Sequence, residues 1–223
     1  CQGYSEPQSG SDLATLQCSA VRDGDHYILN GTKIWTTHAQ YATHMFCLVR
    51  TGTFDRPQKG ITFLLLPMDA EGITITPIRF VSGAATQAQV FFDNVRVDAS
   101  QRVGEENDGW TVAKYLLEFE RGGGASAPGL LESVEDLHTF SEALPKAERD
   151  ALALRLHALT SRIEALEMAE LQALAETERR GSPGPAASML KLLGTELSQA
   201  LTELQVEALG PYGLVHQPEA MAF

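Results

Sequence analysis

The sequence has little positive charge, few cysteines and no long apolar segment. Its 17 lysines and arginines against 29 acidic residues give a formal charge of −12. That balance argues against nucleic acid or an anionic membrane as a main partner. No apolar run approaches the length of a membrane span, and no secretory signal peptide is visible. Local donors can still hold a small anionic ligand on an acidic protein, so ligands of that class stay open.

Cysteine usage indicates a reducing environment. The three cysteines, Cys1, Cys18 and Cys47, are an odd number without paired spacing. Since Cys18 and Cys47 fall in strand-like runs, we favour free buried thiols over a disulfide. Together with the missing signal peptide, this predicts a cytoplasmic protein.

Several site types have no support in the sequence. No G-x-G-x-x-G follows a strand, so a Rossmann nucleotide fold is not indicated. No G-x-S-x-G elbow of a hydrolase is present. The six histidines show no ligand spacing with cysteine or acidic residues, and we therefore predict no metal site. His38 lies near Trp35 and can line a pocket, although a surface or loop position is commoner for a histidine.

The first twelve residues form the most distinctive stretch. They are rich in glycine, serine and proline, so they favour a loop that offers backbone N–H groups and the hydroxyls of Ser5, Ser9 and Ser11. Residues 35–37 (WTT) add an aromatic plate and two further hydroxyls. Such a lining suits a flat heterocycle with hydrogen-bonding edges. The alternatives are turn capping for the serines and core packing for Trp35.

Residues 13–97 have the pattern of short strands separated by turns. Residues 13–21 are strand-like, and Asp23-Gly24-Asp25 predicts a turn. Asn30-Gly31 predicts a second tight turn, which makes 26–37 a hairpin. Further strands are predicted at 44–50, 60–66, 73–78 and 89–97. We therefore predict an antiparallel barrel-like or sandwich-like β domain over residues 1–107.

The hydrophobic period changes near Asp108, which predicts a helical domain over residues 108–223. A helix is expected at 112–120; the glycines at 122–124 either stop it or let it pass close to a ligand. Two long amphipathic helices follow. Their apolar stripes suit a bundle core or a contact with a partner subunit. The stripes are Leu152, Leu156, Leu159, Ile163 and Leu166, then Leu190, Leu193, Leu197, Leu201 and Leu204. The fold class is therefore α+β and multidomain.

Five blocks, in their order and spacing, resemble the acyl-CoA dehydrogenase family. The resemblance implies its middle β domain plus part of its C-terminal helical domain. Segments 188–191 and 208–213 resemble the last helices of bacterial members. The family's N-terminal helical domain is expected before residue 1, and a further helical segment after Phe223. The blocks are 4–12 (YSEPQSGSD), 30–37 (NGTKIWTT), 90–97 (VFFDNVRV), 103–110 (VGEENDGW) and 118–121 (EFER).

The resemblance implies a reaction. An acyl-CoA thioester would lose its α-proton to a base and its β-hydride to N5 of FAD, since no side chain accepts hydride. The protein would be an oxidoreductase of lipid metabolism that passes electrons to an electron-transfer flavoprotein. It would work as a homo-oligomer or as a hetero-oligomer of related subunits.

The same resemblance assigns site residues. The loop from Gln2 to Ser11 would wrap FAD, and the segment from Trp35 to Thr37 would lie beside the flavin rings. Ser11 would also contact the pantetheine side of the thioester. The cofactor residues implied are Gln2, Tyr4, Ser5, Gly10, Ser11, Trp35, Thr36 and Thr37.

Glu120 is the candidate catalytic base. A minority of family members place the base before an arginine on this helix, as in Glu120-Arg121, whereas most carry it late in the chain, here beyond Phe223. A carboxylate pressed against flavin and substrate loses solvation, which raises its pKa. The alternative for Glu120 is an ordinary surface glutamate. Glu118 and Arg121 are implied in binding the CoA substrate.

Two departures from the family pattern are informative. Gln8-Ser9 replaces the usual Gly-Ala, so we expect a less tightly turned loop. Residues 137–149 lack the Arg-x-x-Phe-Gly pattern, whose arginine reaches the FAD pyrophosphate of a neighbouring subunit. Heteromeric assembly is therefore a hypothesis, with this chain a non-catalytic or half-site subunit. An oxygen-using flavoenzyme of the same superfamily is a further alternative.

Overall fold

The structure, a computed structural model, describes residues 1–120, 126–181 and 184–214. The chain divides into two compact units, Cys1–Leu116 and Leu117–Phe223. All the strands of the described residues lie in the first unit, and the long helices lie in the second. The predicted α+β class, a β domain followed by helices, is confirmed.

Among the described residues, eight strands form one mixed sheet in the order β6-β7-β3-β2-β4-β5-β8, with β1 added beside β4. β1 and β2 pair with β4 in parallel, and the other strand pairings are antiparallel. The sheet is therefore mixed, whereas we predicted an antiparallel one. The strands are β1 Gln2–Gly3, β2 Ser19–Asp23, β3 His26–Thr37, β4 His44–Arg50, β5 Ile61–Pro67, β6 Ile73–Ile78, β7 Gln87–Asp98 and β8 Arg102–Val103.

The predicted turn at Asn30-Gly31 is wrong, because β3 runs straight through both residues. The long partner strand β7 pairs with β3 on both sides of this point, with a register shift between Leu29 and Gly31. Gly31 is needed for close approach: a Cβ there would lie 2.7 Å from Cys18 Cα, at a φ of +146°. The glycine that suggested a turn therefore serves an irregularity within a strand.

The turn predicted at Asp23-Gly24-Asp25 is confirmed. It joins β2 to β3 through an Asp23–His26 pair, and Gly24 has a φ of +59°. Before β2, residues predicted as strand form a 3-10 helix, Leu13–Thr15. Its start is fixed by Thr15, whose N–H and hydroxyl both donate to the Asp12 carbonyl. The alternation of buried and exposed residues there is real, but pairing begins only at Ser19.

The helices are α1 Gly109–Glu120, α2 Ala127–Ser141, α3 Lys146–Arg180 and α4 Ala186–Leu209. The two long helices predicted from leucine spacing are thereby confirmed as α3 and α4. Helix α3 ends at Gly181, whose left-handed φ of +77° lets its N–H donate to the Thr177 carbonyl. The glycines at 122–124 lie outside the described residues.

Buried leucines join α2, α3 and α4 into one core. The predicted stripes supply most of it, which favours their interpretation as bundle core. The buried residues of this core are Ala127, Leu130, Leu137, Leu152, Leu156, Ile163, Leu166, Leu197, Leu201 and Leu204. Within the described ranges, no helix combines the length and apolar character that crossing a membrane requires.

Candidate functional site

The predicted cofactor loop is anchored to the sheet at its start. Strand β1 pairs in parallel with Phe46 and Cys47 of β4. Gly3 permits this approach, because a Cβ at that position would lie 2.4 Å from Met45 Sδ. The Tyr4 ring then packs edge-on against the rings of Phe46 and Phe63, with centroids 5.8 and 6.4 Å away. The loop therefore begins as part of the folded core.

The loop turns tightly at residues 6–9. The N–H of Glu6 donates to the Ser9 carbonyl at 2.8 Å, and the N–H of Ser9 donates back to Glu6 at 3.0 Å. The Ser9 hydroxyl donates to the Asp12 carbonyl at 2.8 Å. In this chain, therefore, the turn is closed by backbone hydrogen bonds and supported by the Ser9 side chain.

A buried carboxylate holds this turn in place. Glu6 Oε1 accepts from the Cys18 N–H at 2.9 Å, and its Oε2 accepts from the Gln17 N–H at 2.6 Å and from Gln8 Nε2 at 2.8 Å. Lys33 Nζ lies 2.8 Å from Glu6 Oε1 and donates to the Tyr4 carbonyl at 3.1 Å. The exposed fractions of the Lys33 and Glu6 side chains are 0% and 2%.

A bulge in β3 turns Trp35 outward. Inward-facing residues alternate along the strand up to Lys33, so Trp35 would be the next to face inward. The β3–β7 register shifts between Lys33 and Thr36, and Trp35 takes a left-handed φ of +60°. As a result Thr36 is buried, and Trp35 is 54% exposed. Bulges of this kind re-aim a side chain at an edge or a site.

Most of the other predicted cofactor residues are at least partly accessible to solvent. Ser5 and Gln2 are half-buried, and Gly10, Ser11 and Thr37 are exposed. The Ser5 carbonyl accepts from the Ile34 N–H at 2.9 Å, which places the serine loop beside the strand that carries Trp35. The structure thus brings Ser5 and Trp35 onto neighbouring segments of one unit.

Tyr4 and Thr36 are buried instead. Tyr4 is 6% exposed in its aromatic cluster, and Thr36 is fully buried on the strand side opposite Trp35. The Thr36 hydroxyl has no hydrogen-bond partner within the described part of the chain. Their side chains therefore serve the core of the sheet, and only their backbone groups are available to a ligand.

Glu118, a predicted substrate residue, and Glu120, the predicted base, lie at the end of α1. Gly109 starts that helix against β5, where a Cβ would lie 2.4 Å from the Phe63 nitrogen. Glu118 and Glu120 are exposed in the last turn. They belong to the second unit, whereas the serine loop and Trp35 belong to the first. Arg121 lies outside the described residues.

Sequence reasoning missed Glu6 and Lys33 as residues that build the site. A signal was present: Tyr27, Leu29 and Lys33 share the inward phase of one strand. A lysine in that phase must find a buried anion, because an unpaired buried charge is costly.

The buried cysteines are free, as predicted. Burial raises the pKa of the Cys18 thiol to about 11, and it raises the pKa of Cys47 as well. Both thiols therefore stay protonated and unreactive in the folded protein. No group of three or more metal-ligating side chains occurs in residues 1–120, 126–181 and 184–214.

The outward indole of Trp35 offers an exposed aromatic surface beside the loop. Thr37, two residues further along β3, is also exposed, and Ser5 lies in the loop segment whose carbonyl accepts from the Ile34 N–H. Two family models match the chain. The acyl-CoA dehydrogenase middle domain matches residues 1–95, and the acyl-CoA dehydrogenase C-terminal domain matches residues 107–222. The chain belongs to the acyl-CoA dehydrogenase family.

Similar proteins agree with this family. Acyl-CoA dehydrogenase FadE26 of Mycobacterium tuberculosis is 34% identical over 227 residues, 96% of this chain and 56% of the relative. A solved structure described as a Tcur3481-Tcur3483 steroid ACAD G363A variant is 30% identical with a TM-score of 0.88, covering 97% of this chain and 57% of that one.

A second solved structure, the ChsE4-ChsE5 complex of Mycobacterium tuberculosis, is 32% identical with a TM-score of 0.83. It covers 97% of this chain and 57% of that chain. The chain therefore spans a little over half the length of these relatives. Acyl-CoA dehydrogenases are in general FAD-dependent oxidoreductases.

Proposed function

We propose that the protein dehydrogenates an acyl-CoA thioester between Cα and Cβ with FAD as cofactor. The observation that carries the proposal is the outward turn of Trp35 beside the anchored serine loop, in a chain of this family. A large exposed indole held at a left-handed φ is a costly arrangement, and such outliers concentrate at ligand sites. Electrons would leave to an electron-transfer flavoprotein, and free cysteines suit a cytoplasmic enzyme.

The proposal gives the first unit the task of holding the cofactor. FAD, when bound, supplies the hydride acceptor that no side chain can provide. Trp35 would cover one face of the ring system, while Thr37 and the backbone of residues 2–11 would hydrogen-bond its edge. Ser11, exposed at the end of the loop, would bind the pantetheine side of the thioester.

Glu120 would remove the α-proton. A carboxylate does this well only when its pKa approaches the working pH, which requires loss of water around it. Glu120 is exposed in this structure, so substrate and cofactor would have to exclude that water on binding. Glu118, two residues earlier on α1, would contact the CoA moiety with Arg121.

An anaerobic visible spectrum tests the reaction. The full protein is purified with any subunits that accompany it, and spectra are recorded before and after addition of straight, branched, dicarboxylic and steroid CoA thioesters. Bleaching of bound flavin by one of them is the expected result. Absence of flavin, or flavin that no thioester bleaches, would contradict the proposed reaction.

A substitution tests the base. Glu120→Gln should slow flavin reduction about a hundredfold or more, since a positioned general base contributes that much. Glu118→Gln is the matched control: it is also an exposed glutamate of α1, and it should raise KM while leaving kcat within a few-fold. Equal rates for wild type and Glu120→Gln would assign the base elsewhere.

A second candidate is a half-site subunit of a heteromeric acyl-CoA dehydrogenase. Two observations favour it: residues 137–149 lack the family's Arg-x-x-Phe-Gly pattern, and one similar structure is described as the ChsE4-ChsE5 complex. In that case the chain would bind FAD only with its partner. Native mass spectrometry decides this, because a tetramer of this chain alone, saturated with FAD, contradicts the half-site assignment.

A further inference from the structure

The buried pair of Glu6 and Lys33 joins the two segments that would hold the cofactor. Glu6 lies in the serine loop, and Lys33 lies two residues before Trp35 on β3. The pair has a 2.8 Å contact between Lys33 Nζ and Glu6 Oε1, with both side chains withdrawn from water. No other segment of the described chain carries an ion pair that is buried on both sides.

The remaining bonds of the pair all restrain the loop. Lys33 Nζ also holds the Tyr4 carbonyl at 3.1 Å. Glu6 reaches the other way, to the N–H groups of Gln17 and Cys18 at 2.6 and 2.9 Å. The loop is therefore fixed between β3 and the segment that leads into β2. Because buried charges must stay paired, this arrangement has little freedom to shift.

The position of Lys33 matters as much as its charge. It is the last inward residue before the bulge, where the β3–β7 register shifts and the side chain two residues further on, that of Trp35, turns outward. Holding Lys33 in place therefore also fixes the backbone at the start of the bulge, which sets the direction of the Trp35 side chain. The Ile34 N–H, between the two, donates to the Ser5 carbonyl at 2.9 Å.

We propose that Glu6 and Lys33 are positioning residues for the flavin, which hold the serine loop and the Trp35 indole at the separation that the ring system requires. This rests on the proposed function. Neither side chain needs to touch the cofactor, since both act through the loop backbone and the bulge.

The test uses FAD and the full protein with its co-purifying subunits. Glu6→Gln and Lys33→Met should each weaken FAD binding about tenfold or more, because the loop and the indole would no longer be held in the binding geometry and would have to be ordered when FAD binds. They should also raise the fluorescence of the flavin that remains bound, because an indole in contact with the ring quenches it. A purely structural role would not change that fluorescence at saturation.

Val97→Ala is the matched control. Val97 is a buried core residue of β7 that pairs with Tyr27, at the opposite end of β3 from Lys33. It should lower the unfolding midpoint while leaving the FAD Kd and the bound-flavin fluorescence at wild-type values. Equal losses in this variant would overturn the proposal, because stability alone would then explain them.

The double variant Glu6→Gln with Lys33→Met covers the case in which a single change prevents folding, since it leaves no buried charge unpaired. Weaker FAD binding and brighter bound flavin in this variant support the proposal. Wild-type affinity and fluorescence in a folded double variant overturn it, while the dehydrogenase proposal stands. A wild-type protein that binds no FAD with its partners present would overturn both.

Discussion

The Tyr27 hydroxyl donates a 2.6 Å hydrogen bond to Glu106 Oε2, which Arg102 also contacts at 3.6 Å. Tyr27 lies at the start of β3 and is fully buried, whereas Glu106 lies in the loop just before α1. One hydrogen bond therefore connects the strand that carries Trp35 to the loop from which the helix of Glu120 begins.

Tyr27→Phe should lower the free energy of unfolding by about 1–2 kcal/mol, because it removes a partly buried hydrogen bond to a charged acceptor. Chemical denaturation measures the change. Arg22→Met is the control: Arg22 meets the same Glu106 oxygen at 3.4 Å, but its side chain is half exposed. That change should cost under about 0.5 kcal/mol. A Tyr27→Phe protein as stable as wild type would show that the hydrogen bond contributes nothing.

The Trp35→Gly variant should be more stable than the Trp35→Ala variant. The φ of +60° at this position costs an L-residue about 1 kcal/mol, which glycine avoids. Glycine also loses more chain entropy than alanine on folding, so Trp35→Gly should exceed Trp35→Ala in free energy of unfolding by about 0.5 kcal/mol. Thr37, also exposed and outside the left-handed region, is the control, where alanine should be the more stable. The same ranking at both positions would argue against strain at the bulge.

Cys18 and Cys47 should resist a thiol reagent in the native protein at pH 8 and react once denaturant unfolds it. Burial raises the pKa of Cys18 to about 11, so the folded thiol keeps its proton where an unfolded one, near 9.0, loses it. The unfolded state then binds fewer protons, and stability falls as pH rises from about 9 to about 11. Cys18→Ala should show a shallower fall. Fast native-state labelling of Cys18 would contradict its burial.

Substitution by alanine should have opposite effects on protein stability at Gly31 and Gly129. Gly31→Ala should destabilise by about 2 kcal/mol or more, because the new Cβ would lie 2.7 Å from Cys18 Cα at a positive φ. Gly129→Ala should stabilise by roughly 0.5 kcal/mol, since a Cβ in α2 meets nothing within 4 Å. Thermal unfolding of both variants checks the two signs, and destabilisation by Gly129→Ala would be the unexpected result.

Local pattern predicted helices α1, α3 and α4 and most strands, but not helix α2. In both α3 and α4 the apolar residues recur every three or four residues over a long stretch, so both helices could be predicted from the sequence. Strands β4 to β7 also followed, because each has its own apolar run. What failed was Asn30-Gly31, where a distant strand, β7, decided between a turn and a bulge.

The candidate site was predictable only as a set of residues. The serine loop and Trp35 stood out by composition and by resemblance. Their anchoring did not, because the pairing of Glu6 with Lys33 joins residues far apart in sequence and depends on which side of β3 is buried. Trp35 itself faces outward only because the bulge changes the strand's phase.

Asparagine followed by glycine is also the pair most prone to deamidation, in which the glycine nitrogen attacks the asparagine side chain. Both the side chain and the backbone of Asn30 are restrained by hydrogen bonds or strand pairing. Its side-chain oxygen accepts from the Asn94 N–H at 2.9 Å, its amide donates to Asn94 Oδ1 at 3.3 Å, and its backbone pairs with Ser19 in the sheet. Cyclisation would require β3 to open here, so the folded chain is protected from chemical ageing at this position, and deamidation of Asn30 would record how often the sheet opens.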